Sequence, residues 1–299
     1  MDVVIQCVPN FSEGRDERVI EAIVDAVRSA HGIVLADYSW DPDHNRLVVS
    51  ILGEPSGVRE AVNAGARKAV ELIDLRRHSG QHPRIGAIDV VPLVPIRGIT
   101  MSECVELSCD IGRDLATQIG LPVYFYECSA IRSHCKDLAD VRRGGFERLV
   151  QLGMHGDRAP DLGPSKPHPT AGAVVVGARR PLVAYNVNLI DGNTEAATSI
   201  ATKVRGRNGG LPGVKAMGVW LSTRSRAQVS MNVTRPDLVK LPQVFEFVSH
   251  EARQCGTEVA ESEIIGLVPK HCLDGVTPSD IKAVNLKETQ LLEYWLDRL

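Results

Sequence analysis

The sequence predicts an α/β chain of the α+β type, built as two β-α-β-β-α-β halves in the ferredoxin-like order, with facing sheets and a ligand cleft or tunnel between them. Three observations lead there. Strand-like apolar runs and helical apolar stripes follow one another in that order twice along the chain. A proline- and glycine-rich stretch over residues 153–172 separates the two series and reads as the crossing between halves. A length of 299 residues, 43% hydrophobic and 24% charged, suits one large or two modest cores. No internal sequence repeat accompanies the repeated order, so the likeness is one of architecture. The expected limits of the halves are 1–176 and 177–299.

In the first half, Val3 to Val8 reads as a strand and Arg15 to Ala30 as a helix stopped by Gly32. Strands follow at Ile33 to Asp37 and Leu47 to Leu52. Val58, Ala61, Val62, Gly65, Ala69, Leu72 and Ile73 recur with helical period behind Pro55, a residue suited to a helix start. Ile88 to Ile96 is almost wholly apolar and reads as a buried strand. Thr100 and Glu103 stand at capping-box spacing, opening a third helix, and Pro122 to Tyr126 returns as a strand. In the second half the order is strand (Leu182 to Leu189), helix (Thr194 to Val204), Gly-rich loop (Gly206 to Gly213), then strands at Ala216 to Leu221 and Gln228 to Val233. A helix from about Pro242 carries Val244, Phe247, Val248, Ala252 and Cys255 on one stripe and ends at Gly256, before a strand at Thr257 to Ala260. Leu291, Leu292, Trp295, Leu296 and Leu299 give a short terminal helix an apolar side, which predicts that it docks.

Composition excludes several classes. Thirty-four Lys and Arg against 37 Asp and Glu leave a formal charge of -3, against a general nucleic-acid binder, which needs a basic excess. Between Arg179 and Arg226 there are eight basic residues against Asp191 and Glu195, a local excess that would suit a small polyanionic ligand. Seven cysteines without a Cys-x-x-Cys pair resemble neither a disulfide framework nor a structural zinc site, and a reducing cytoplasm is the expected location. The N-terminus lacks the charged and apolar regions of a signal peptide, and no run reaches the length of a membrane span.

The loop from His78 to Asp89 places two imidazoles, a guanidinium and a carboxylate between a helix and a strand, a setting in which α/β proteins put chemistry. His78 and His82 are four apart, a metal-ligand spacing on a helix. Gly80 and Pro83 break any helix there and no Glu stands in the zincin position, so no metal is expected. Asp89 can orient an imidazole or cap a strand end. Arg84 can meet a carboxylate bidentately or stand as a solvated charge. Asn10, Asn45, Arg46, Asn186 and Asn188 lie at strand ends with donors suited to an amidine, a pterin or a carboxylate, although each alone is commonly a turn residue.

Ordered motifs run through nearly the whole chain: Cys7-Val-Pro-Asn-Phe-Ser-Glu-Gly14, Asn45-Arg46, His82-Pro-Arg-Ile-Gly-Ala-Ile-Asp89 and Pro92-Leu-Val-Pro-Ile-Arg-Gly98. They continue with Pro122-Val-Tyr-Phe-Tyr126, Asp161-Leu-Gly-Pro-Ser165, Gly177-Ala-Arg179, Asn186-Val-Asn-Leu189 and Gly266-Leu-Val-Pro269. In these the chain resembles the formiminotransferase family, folate enzymes that move a formimino group from formiminoglutamate to tetrahydrofolate. Coverage is weakest from Glu127 to Pro160.

The resemblance implies that His82 is the catalytic acid/base and that the folate-binding segment is Gly163, Pro164, Ser165, Lys166, Pro167, His168, Pro169, Thr170, Ala171 and Gly172. Lys166 and His168 are this chain's own variants within that segment. The chemistry suits one imidazole, since a single group that takes up and returns a proton near neutral pH suffices, and histidine's ordinary pKa of about 6.5 fits that task. Tetrahydrofolate enters as co-substrate. The resemblance further implies a homodimer. In the animal relatives the transferase is fused to a cyclodeaminase, so a separate cyclodeaminase is the expected functional partner here. Formyl transfer between glutamate and folate, or a non-catalytic folate-binding module, are the alternative readings.

Overall fold

The computed structural model describes residues 1–299, which fall into two compact units, Met1–Arg179 and Arg180–Leu299. The first is built on a seven-stranded sheet. Its strands β1 (Val4–Cys7) and β2 (Asn10–Phe11) run in line, pairing the same two neighbours on either side of Val8 and Pro9, where proline has no N–H for the ladder. Helix α1 (Glu17–Arg28) starts at Asp16, whose side chain accepts the Arg18 N–H, and buries Ile20, Ile23, Val24 and Val27. Each of those side chains contributes roughly 1.5–3 kcal/mol by leaving water. Strands β3 (Ile33–Asp41) and β4 (Arg46–Gly53) form a hairpin, α2 (Pro55–Leu72) carries Pro at its first turn, and β5 (Ile88–Arg97) follows the His82 loop. With β1 and β2 taken as one strand, the order β5, β1, β4, β3 is the antiparallel ferredoxin-like arrangement.

Helix α3 (Met101–Asp114) begins with the Thr100–Glu103 capping box, both hydrogen bonds of which are formed. Strand β6 (Val123–Phe125) is followed by short turns, by α4 (Leu138–Val141) and by α5 (Gly145–Leu152). The chain then returns to the same sheet as β7 (Val174–Ala178), inserted between β5 and β6 and parallel to both. Two expectations are corrected here. Residues 153–172 do not cross between halves but lead back into the first sheet, and a boundary at 176 would cut β7, which ends at Ala178. Both faces of β5 and β7 are covered: Leu93 and Val174 join one core with α1 to α3, while Val90 and Val175 join a second with Leu149 of α5 and Met154. A strand buried on both faces carries a continuous apolar run.

The second unit repeats the order with β8 (Val183–Leu189), α6 (Thr194–Val204), β9 (Val214–Leu221), β10 (Arg226–Val233), α7 (Leu241–Gln254) and β11 (Val259–Ile265). Its sheet is antiparallel throughout, in the order β11, β8, β10, β9. Tyr185, Val187 and Leu189 point to the core that α6 and α7 close, and the intervening Asn186 and Asn188 point the other way. The terminal helix α8 (Leu292–Leu296) is docked as expected. Gln290 O accepts from Val268 N, and Leu292 N donates to Val268 O.

Candidate active site

Arg46, Ile88 and Val174 open strands β4, β5 and β7, which share one direction, so the loops that precede these strands gather at a single sheet edge. Asn45 stitches the loop before β4 to the loop before β5 and to the turn between β2 and α1. It sits in the left-handed region (φ 50°), which Asn tolerates. Its Oδ1 accepts from Gly14 N (2.9 Å), its Nδ2 donates to Ser79 O (3.0 Å) and its carbonyl accepts from His78 Nε2 (2.9 Å).

His78 is a pin. With Nε2 donating to Asn45, its Nδ1 accepts from Arg84 Nε (2.8 Å), so both ring nitrogens are used and the ring is neutral; burial lowers its pKa. Arg84 in turn forms a bidentate pair with Glu147 of α5 (3.0 and 2.6 Å) and bonds His78 O (3.0 Å). Its guanidinium is therefore engaged by the protein's own carboxylate, which argues against the sequence-based expectation that it receives a substrate carboxylate.

His82 differs. It is half-buried, its Nδ1 lies 3.0 Å from Arg46 Nη1 and 2.9 Å from the Pro83 carbonyl, and the protein makes no hydrogen bond to Nε2. Behind it, Arg46 Nε donates to Asn10 Oδ1 (2.8 Å), and Arg46 Nη1 pairs with Asp89 Oδ2 (3.1 Å). Arg142, which follows α4, reaches the same Oδ2 (2.5 Å). Asp89 is fully buried and its Oδ1 accepts from Ile85 N (2.8 Å), so it caps the start of β5 as well. It reaches the imidazole only through Arg46.

The electrostatics follow from this packing. Burial would raise the Asp89 carboxyl, but Arg142 and Arg46 overcome it and hold the group below its ordinary value. Burial, with Arg142 adding to it and Asp89 opposing, pushes Arg46 down to about 10, still protonated at neutral pH. For His82, burial and then the two guanidiniums hold the pKa well below 6.5, so the ring is uncharged at neutral pH and can act as a base.

Gly163 to Gly172 runs up to the same edge. His168 N and Gly172 N exchange hydrogen bonds with each other's carbonyls (2.8 and 2.9 Å), and His168 Nδ1 accepts from Ala171 N (3.1 Å). Ala87 N donates to Ala171 O (2.9 Å) and Ala173 N to Ile85 O (2.9 Å), which joins this loop to the His82 loop. Gly172 has φ +69°, and a Cβ there would lie 2.0 Å from Ile85 O. A side chain at Gly172 would thus break the junction of the two loops whether or not a ligand is present. Gly163, Pro164, Ser165, Lys166 and Pro169 are exposed, Pro167, His168 and Thr170 half-buried, and Ala171 and Gly172 buried.

In the second unit Asn186 and Asn188 belong to a buried polar row. Asn186 Nδ2 donates to Glu263 (3.2 Å) and Asn188 Nδ2 to Glu261 (3.0 Å), while Gln228 Nε2 bridges Asn188 Oδ1 (2.8 Å) and Glu263 (3.0 Å). Arg224 and Arg226 pair with Glu263 and Glu261 at 3.2 Å, and Lys203 with Glu251 at 2.6 Å. Three of the eight basic residues counted from Arg179 to Arg226 are thus neutralised by acids outside that window, and the basic field expected from the local count is correspondingly weaker. Glu261 and Glu263 were legible as alternate polar positions on a strand, a signal the period-two pattern carries. Arg142 and Glu147 had none, lying where no period is visible.

Comparison with known proteins finds one family over both units. Residues 4–179 match the formiminotransferase domain, N-terminal subdomain, and residues 184–290 match the formiminotransferase domain. A Streptococcus pyogenes glutamate formimidoyltransferase is 44% identical over 273 residues, covering 91% of each chain. A Thermoplasma acidophilum glutamate formimidoyltransferase is 38% identical over 297 residues, covering 99% of this chain and 98% of that one. The Sus scrofa formimidoyltransferase-cyclodeaminase is 41% identical over 279 residues, which is 91% of this chain but 51% of the relative. With both subdomains matched in order and relatives this similar over nearly the full length, the chain belongs to the formiminotransferase family.

Proposed function

We propose that the chain transfers the formimino group from N-formimino-L-glutamate to tetrahydrofolate, giving 5-formiminotetrahydrofolate and glutamate, with His82 as the general acid/base. The observation that carries the reading is the His82 ring, uncharged, pinned at Nδ1 and open at Nε2. In the reaction N5 of tetrahydrofolate bonds to the amidine carbon and loses its proton to Nε2. The bond from that carbon to the glutamate nitrogen then breaks, and the proton passes from Nε2 to the leaving nitrogen. Protons balance without a covalent enzyme intermediate. The Gly163 to Gly172 loop supplies backbone approach for the flat pterin, and its junction with the His82 loop supports that role.

The test is direct. Purified chain mixed with formiminoglutamate and tetrahydrofolate should release glutamate in proportion to folate consumed, and N-formylglutamate should be a poor donor. Cyclisation of the product needs proton transfers of its own, so we assign it to a separate cyclodeaminase. Ammonia should therefore not appear with glutamate; stoichiometric, enzyme-dependent ammonia would refute that assignment.

The reading needs no metal. No three His, Cys, Asp or Glu side chains are grouped to hold an ion. Dialysis against a strong chelator should leave turnover unchanged, and a loss that zinc restores would contradict this. All seven cysteines are free and no helix is long and apolar enough to cross a membrane. Free thiols fit the cytoplasm as the site of action, and the family likeness supports a homodimer.

A further inference from the structure

The His82 imidazole is held from one side, by two groups that make opposite demands. Arg46 Nη1 (3.0 Å) can only donate to Nδ1, and the Pro83 carbonyl (2.9 Å) can only accept from it. Bonded to Arg46, Nδ1 carries no proton and Nε2–H is a donor. Bonded to Pro83, Nδ1 carries the proton and Nε2 offers a lone pair. The balance depends on how firmly Arg46 is aimed. Arg46 is aimed by Asp89, and Asp89 is shared with Arg142 at 2.5 Å. The side chains of Arg46, Asp89 and Arg142 are 8%, 0% and 10% exposed, so these charges act with little solvent screening.

Resting on the reading of His82 as the acid/base group, we propose that Arg142 is a positioning residue for it: sharing Asp89, it fixes Arg46 behind the ring and leaves a surplus positive charge there, while Nδ1–H donates to the Pro83 carbonyl and the Nε2 lone pair is left to the substrates. Two guanidiniums face one carboxylate, which leaves one positive charge beside the ring. Arg142 Nε is buried without a hydrogen-bond partner, so no second acceptor answers that surplus. The titratable and charged groups around the ring are Arg46 from β4, Arg142 after α4 and His44 from the turn before β4, its ring centroid 6.1 Å away, with Asp89 from β5 behind Arg46. The direction of the His82 shift agrees, burial acting first and Arg46 and Arg142 next. A base that took its proton from solvent could not take one from N5, so the surplus charge serves the transfer. It also makes the imidazolium, once formed on Nε2, ready to give the proton up.

The His82 ring resonance, assigned by its loss in His82→Gln, is titrated by NMR in the full chain alongside the acid limb of kcat/KM. Arg142→Gln keeps a donor for Asp89 but removes the charge, and should raise the proton affinity of His82 on the order of tenfold. Arg142→Lys keeps the charge and should titrate near the wild type. Asp89→Asn removes the carboxylate charge and should move the ring the opposite way, which decides the matter even where Arg142→Gln does not fold. A residue that only supported the fold would move none of these titrations in paired opposite directions. An Arg142→Gln titration superimposable on the wild type, or a shift of the same sign in Asp89→Asn, overturns the inference. If the ring titration moves as stated while the acid limb does not follow, the inference stands and the assignment of His82 as the acid/base group falls.

Discussion

Asp89→Ala should destabilise the first unit by about 3–5 kcal/mol, because it leaves two buried guanidiniums facing each other with no carboxylate between them. Asp89 is fully buried, and one of its oxygens takes both Arg46 (3.1 Å) and Arg142 (2.5 Å). Its other oxygen holds Ile85 N at 2.8 Å, so the substitution also frees the start of β5. For a unit of this size the loss corresponds to a fall in melting temperature on the order of 10 °C. Arg18→Ala, which removes the exposed partner of Asp16 and leaves the α1 cap in place, should cost far less than that. The pH dependence has a definite sign. Because the folded-state pKa of Asp89 is depressed, its stabilisation is complete above the ordinary carboxylate range and is lost as pH falls through the lowered value. Equal melting temperatures for Asp89→Ala and the wild type would show that the buried cluster does not hold the unit together.

The fold was legible where a single period governs an element. Helices α2 and α7 showed their apolar stripes, α1 its stop at Gly32, and the Thr100–Glu103 spacing marked the start of α3 to the residue. Strand β7 was not legible, because its run Val174 to Ala178 follows a proline-rich stretch that hides its start. Its parallel pairing with β5 and β6 is a long-range choice that no local pattern encodes. The site divides the same way. A polar loop between a helix and a buried strand pointed to His82 and Asp89, and strand-end donors pointed to Asn10 and Arg46, which the structure gathers into one cluster. A buried carboxylate demands a cation, but nothing in the sequence says that Arg142, rather than Arg132, Arg143 or Arg148, answers Asp89. Nor does a sequence show that Arg84 is occupied by Glu147, a partner 63 residues away.

His82→Ala should lower kcat by about 10² to 10⁴, the range in which a general acid/base group contributes. The ring stands at the edge where the loops before β4, β5 and β7 meet, and its removal deletes no backbone hydrogen bond other than the ring's own contact with Pro83 O. Folate binding by the Gly163 to Gly172 loop should therefore persist, and the KM for tetrahydrofolate should change far less than kcat. The most direct measurement is the kcat of His82→Ala for glutamate release, made beside a binding titration with tetrahydrofolate on the same protein. A fall of at least about a hundredfold with folate still bound is the expected result. A variant that keeps more than about half of the wild-type kcat would contradict the assignment, since no acid/base group at the reacting nitrogen can be removed at so small a cost.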